Sequence, residues 1–79
     1  MSRIAKPADN LPSNNQRLIS IARLVFGEWW MGATARYLGK HKKQVLRWSK
    51  GESEVGDEDL ERLREHARQH VRAILNEVG

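Results

Sequence analysis

The sequence predicts an all-α fold of about four helices, the last of them long and C-terminal. Three observations carry this. Apolar residues recur at helical spacing in three separate stretches, Leu18 to Trp29, Ala35 to Trp48 and Leu60 to Val78. Gly39 and Gly51 fall where short helices in the middle stretch would have to stop. No segment supplies the strands on which sheet-based binding proteins display their aromatic residues.

Length and composition bound the rest. Seventy-nine residues allow one domain, expected over residues 13–79, preceded by an extension over residues 1–12. A chain this short does not enclose a large enzyme cleft. It has no cysteine, so disulfides and cysteine-ligated zinc are excluded, and stability must come from packing or from a second subunit. No apolar run is long enough to span a bilayer, and MSRIAKPADNLP has no signal-peptide core, so no membrane partner and a cytoplasmic location are expected.

The net charge is +4, but its distribution says more. Residues 1–50 hold ten Lys or Arg against two acids, whereas residues 51–79 hold four Arg against eight acids. The chain is electrically polarised. A polyanionic partner is expected against its N-terminal two thirds, with the last helix directed away from it.

In the extension, two prolines and the absence of apolar periodicity predict a flexible tail, with Arg3 and Lys6 available to a minor-groove arm. Ser13 to Gln16, SNNQ, matches a capping box and predicts a helix start, with Ser13 accepting from a first-turn amide and Gln16 reaching back. Leu18, Ile21, Ala22, Val25 and Trp29 then share one stripe, flanked by Phe26. On this wheel Trp29 points inward, and Trp30 is a partly buried lid on the next helix. Gly27 marks a bend near the end of the first helix.

Met31 to Gly51 reads as two short helices meeting at a tight turn. Ala35 and Leu38 give one apolar stripe before Gly39; Val45 and Trp48 give another after it. At 100° per residue, Lys43, Arg47 and Lys50 fall opposite Val45 and Trp48, leaving one face anchored and the other cationic. Six Lys or Arg lie between Arg36 and Lys50 with no acid among them, a density suited to a polyanion.

Val55 is expected to plug the core from the connector after Gly51. The acids Asp57, Glu58, Asp59 and Glu61 suit the positive end of a helix dipole and predict that the last helix spans residues 57–78. Its stripe of Leu60, Leu63, Ala67, Val71, Ile74, Leu75 and Val78 exceeds what a three-helix core can cover. Val71, Ile74, Leu75 and Val78 are therefore expected to form a homodimer interface rather than to fold back over the first helix.

At Met31 to Gly51 the sequence resembles the helix-turn-helix of Cro and phage-repressor-like transcription regulators. In that motif of about twenty residues the fifth position is small, the ninth is glycine, and the fifteenth and eighteenth are apolar. Setting Gly39 ninth makes Ala35 fifth, Leu38 eighth, Val45 fifteenth and Trp48 eighteenth, with Gly51 closing the second helix. A larger side chain than Ala35 would push the helices apart, and Gly39 is able to take the left-handed conformation of the turn. The sequence departs from the pattern at Met31 and His41, where the family often has a polar first residue and a capping Ser, Thr or Asn.

The resemblance implies that Lys42, Lys43, Gln44 and Arg47 meet base edges of double-stranded DNA, while Arg36, Lys40, His41 and Lys50 contact phosphates. Arg47 suits guanine O6 and N7, and Gln44 suits adenine. It also implies a dimeric repressor on an inverted repeat. The competing expectation is a protein-interaction module, an antitoxin or phage inhibitor, that keeps the helix-turn-helix as a scaffold. Catalysis is not expected: no nucleophile elbow, phosphate-binding glycine loop or metal-ligand set occurs, and His66 and His70 at i, i+4 lack both the HExxH glutamate and a third ligand. No cofactor and no small-molecule ligand are expected.

Overall fold

The computed structural model describes residues 11–79, which are helical apart from turns and short connectors and contain no strand. Helix α1 spans Ser13–Phe26, α2 Trp30–Leu38, α3 Lys42–Lys50 and α4 Asp57–Val78, with a 3₁₀ turn at Gly27–Trp29 between the first two. Of the flexible tail expected over residues 1–12, residues 1–10, which include Arg3 and Lys6 of the alternative minor-groove arm, lie outside the described residues.

Helix α1 begins without the expected capping box. Pro12 is the N-cap, at φ −55° and ψ 153°, and Ser13 is already inside the helix with no side-chain cap bond. The proline supplies the φ and extended ψ of the entry by itself, and the Gln16 amide donates to the Leu11 carbonyl at 2.8 Å rather than to a backbone N–H. The polar capacity of the segment goes across the fold instead. Asn14 Nδ2 donates to the Val55 carbonyl at 3.0 Å and to Asp57 Oδ1 at 2.7 Å. Asn15, fully buried, donates to the carbonyls of Trp48 at 2.9 Å and Ser53 at 2.8 Å, and accepts from the Val55 N–H at 2.8 Å.

The end of α1 reverses the expected roles of the paired tryptophans. Gly27 stops the helix at φ 73°, and the 3₁₀ turn that follows has a tighter repeat. The helical phase that would have carried Trp29 inward is lost there. Trp29 is 81% exposed, whereas Trp30 opens α2 and is 7% exposed within the core. Val25 and Phe26 are half-buried.

Helices α2 and α3 end in the same way. Gly39 sits at φ 70°, ψ 34°; its N–H donates to the Arg36 carbonyl, and the Lys40 N–H donates to the Ala35 carbonyl at 2.9 Å. Gly51 sits at φ 77°, ψ 13°; it donates to the Trp48 carbonyl at 3.2 Å, and Glu52 donates to the Arg47 carbonyl at 3.0 Å. These paired bonds form the left-handed glycine cap that satisfies otherwise orphaned carbonyls. The first of them leaves only Gly39, Lys40 and His41 between the two helices. At Gly51 the positive φ strains any side chain, and an added Cβ would come within 2.8 Å of Leu11 Cδ2, so the Leu11 side chain would also have to shift.

The core gathers Leu18 and Ala22 from α1, Trp30, Ala35 and Leu38 from α2, Val45 and Trp48 from α3, Val55 from the connector, and Leu60 and Leu63 from α4. Helix α4 packs on α1 and α2 through its first half. Its Arg62 guanidinium donates to the carbonyls of Leu38 and Tyr37 at 3.3 and 3.4 Å, placing a cation on the negative end of α2. The His66 ring stacks against Phe26 and Tyr37, with centroids 5.5 and 4.4 Å away. From Arg68 onward every residue is exposed, so the helix runs past the core instead of folding back over α1. Among the described residues no helix is long and apolar enough to cross a membrane.

Candidate nucleic-acid interface

The nine residues of α3 divide by helical angle. Val45 and Trp48 are buried; Lys42, Lys43, Leu46, Arg47 and Lys50 are exposed on the opposite side; Gln44 and Ser49 lie on the flanks, half-buried. The Gly39 cap fixes where this helix starts, and its burial through Val45 and Trp48 fixes which side faces outward. At 1.5 Å per residue α3 is about 13 Å long, a size that a major groove about 12 Å wide accepts.

The helix is built against its own stability at its start. Lys42 and Lys43 occupy the first turn, no acid is present there, and His41 precedes them at the N-cap without a side-chain cap bond. Cations at the positive end of a helix dipole are unfavourable, and so is an uncapped first turn. Helix α4 does the opposite, with Asp57, Glu58 and Asp59 in its first turn.

Ion pairing separates α3 from α4 just as sharply. Among the described residues, Arg64 pairs with Glu61 at 3.7 Å, and Arg68 pairs with Glu65 at 2.8 Å and Glu61 at 3.3 Å. The hydrogen bonds to Glu65 and then Glu61 hold the Arg68 guanidinium further toward its protonated form than usual. Lys42, Lys43, Arg47 and Lys50 belong to none of the ion pairs of the described residues. Arg36 is likewise exposed and outside them, near the end of α2.

Two of the sequence-predicted contacts are already engaged. Lys40 Nζ lies 3.7 Å from Asp59 Oδ2, which ties the turn to the start of α4. Gln44 Nε2 donates to Ser53 Oγ at 3.1 Å, on the flank of α3 rather than its outer face. His41 is exposed, and its backbone carbonyl accepts from the Gln44 N–H at 2.9 Å. The α4 histidines are separated in role: His66 is packed among rings, and His70 is exposed.

Sequence reasoning missed two surface residues beside this face. Leu46, 39% exposed, sits among the cations, and the same wheel that turned Val45 and Trp48 inward places it outward. Trp29 was hidden by the assumption of one continuous first helix. Trp29, Met31, Arg36 and Lys42 line an open groove of about 470 Å³ between the starts of α2 and α3. Met31 and Lys42 also line a smaller recess of about 180 Å³ with Lys43 and Leu46.

No protein-family model matches the chain, and no curated protein or solved structure matches it significantly. What the interface can do is therefore read from its own residues, and these present a short, rigidly anchored helix whose outer face is cationic and outside the ion pairs that occupy α4.

Proposed function

We propose that the chain is a sequence-specific double-stranded DNA-binding transcriptional regulator, a helix-turn-helix protein in which α2 and α3 form the motif and α3 enters the major groove. The exposed cationic face of α3, opposite a buried face and outside every ion pair of the described residues, carries this reading. Lys42, Lys43 and Arg47 face the bases, and Arg36, His41 and Lys50 meet phosphates. Gln44 joins the base readers by exchanging its bond to Ser53, and Lys40 joins the phosphate contacts by leaving Asp59.

The chain acts as a homodimer on an inverted repeat and represses by occupying a promoter. Support comes from the end of α4, where Val71, Ile74, Leu75 and Val78 are between 48% and 76% exposed. Ala67, Val71, Ile74 and Val78 follow a spacing of four, three and four, the seam of a two-helix pairing. The same exposed residues support the second reading, a scaffold whose α4 binds another protein.

Selection of random duplex DNA at near-physiological salt, followed by sequencing of the retained pool, decides between them. An enriched inverted repeat is the expected result. Retention without enrichment means sequence-neutral binding, and no retention leaves the α4 partner reading. For the dimer, removal of Val71 to Gly79 takes away only exposed residues, so the fold is expected to persist. Sedimentation should show a dimer before truncation and a monomer after it, with operator affinity falling about 10²–10⁴-fold as the second half-site is lost. A truncated chain that stays dimeric would remove these residues from the interface.

A further inference from the structure

We infer that Trp29 is a DNA-backbone contact, its indole lying on the sugar-phosphate strand that walls the major groove occupied by α3; the inference rests on the reading of α3 as the DNA helix. The indole stands 81% exposed at the start of α2, an unusual place for a side chain that contributes 150–250 Å² of mostly apolar surface when buried. Its groove is shared with Arg36 and with Lys42, the first residue of α3, so it opens beside the end of α3 whose lysines face the bases. With α3 seated in a major groove, the flanking phosphate strand is the nearest structure beyond Lys42.

The chemistry of the groove selects this occupant. Arg36, Lys42 and the adjoining Lys43 outnumber its single acid, Glu28, so an anion is favoured. The indole N–H is a donor only and so suits an acceptor such as a phosphate oxygen, while the ring face suits the apolar side of a deoxyribose. A duplex offers that combination at every step of its backbone. It offers no unstacked base, which sets this contact apart from a single-strand stacking platform. The contact contributes affinity and orientation but not base preference.

The protein carries its own reporter. Trp30 and Trp48 are 7% and 3% exposed, so collisional quenching of fluorescence by acrylamide reads mainly Trp29. The probe is the duplex enriched by the selection above. Saturating DNA is expected to lower the quenching constant at least threefold. Trp29→Ala should weaken binding about tenfold on all duplexes with base preference unchanged, and Trp29→Phe, which keeps a ring face but not the donor, should recover part of the loss. The urea midpoint of both variants should match the parent chain, because the side chain lies outside the core.

If Trp29 remains as accessible to acrylamide in a complex that Arg47→Ala weakens, the backbone contact is wrong and the α3 reading survives. Protection of Trp29 by poly-glutamate but not by the duplex would assign the groove to an acidic protein segment and overturn the inference. If no duplex is enriched or bound, both readings fall together.

Discussion

Asn15→Leu is expected to lower the free energy of unfolding by about 2–5 kcal/mol, the largest stability loss from any single polar side chain of the fold. Asn15 is fully buried and makes three bonds, to Trp48, Ser53 and Val55, that join the start of α1 to the end of α3 and to the connector. The Trp48 carbonyl keeps the Gly51 N–H as a second partner. The Val55 N–H loses its partner inside the core, at about 1–3 kcal/mol for a buried group left unsatisfied, and the half-buried Ser53 carbonyl loses its bond at a smaller cost. A domain of this size has only about 4–12 kcal/mol in total, so urea unfolding should show a midpoint lowered by about a sixth or more. A loss below about 0.5 kcal/mol would show that the three groups find water or one another without Asn15.

Asn15→Asp gives a pH-dependent version of the same test. The carboxylate keeps the acceptor for the Val55 N–H but turns an oxygen toward two carbonyls, and burial in that setting raises its folded-state pKa above the ordinary aspartate value of about 3.9. Such a group favours the folded state in its protonated form. Its contribution is full below the unfolded pKa and is lost as pH rises through the folded one. The variant should therefore lie nearer the parent's stability at pH 4 than at pH 7, and equal deficits at the two pH values would place the carboxylate in water.

Asn15 also marks the limit of what the sequence disclosed. The helices were legible because apolar spacing and glycine caps are local: Ala35, Leu38, Val45 and Trp48 are buried as their stripes require, and Gly39 and Gly51 take the left-handed conformation. Val55 and the first-turn acids of α4 were legible for the same reason. The burial of Asn15 was not, because its partners arrive 33 to 40 residues later and nothing in SNNQ distinguishes a cross-fold clamp from a local cap. The exchange of Trp29 and Trp30 depended on one backbone angle at Gly27, which shifted the phase of the residues after it. On α3 the wheel placed Lys43, Arg47 and Lys50 correctly outward. The bond from Gln44 to Ser53 and the pair between Lys40 and Asp59 came from the connector and from α4, beyond any local pattern.

The second large effect separates binding from stability. Joint replacement of Lys42, Lys43 and Arg47 by alanine is expected to weaken operator binding by about 10³-fold or more. Because these residues face bases, the slope of log affinity against log salt should change by less than about 1, and each of them that instead neutralises a phosphate would lower it by roughly 0.9. Arg47→Ala alone should cost about 1–3 kcal/mol and relax preference at one base position; equal weakening on every duplex would reduce Arg47 to a phosphate contact. Yet the same triple variant should unfold later than the parent, by about 0.5–1 kcal/mol. It removes two cations from the positive end of the α3 dipole and the like-charge pair of Lys43 and Arg47 at i, i+4, which together outweigh the loss of the favourable Arg47 cation from the last turn. A helix that becomes more stable when its outer face is neutralised has kept those charges for a partner and not for the fold. A triple variant that is less stable than the parent, or that binds the selected operator undiminished, would mean that the cations of α3 are an ordinary solvated face.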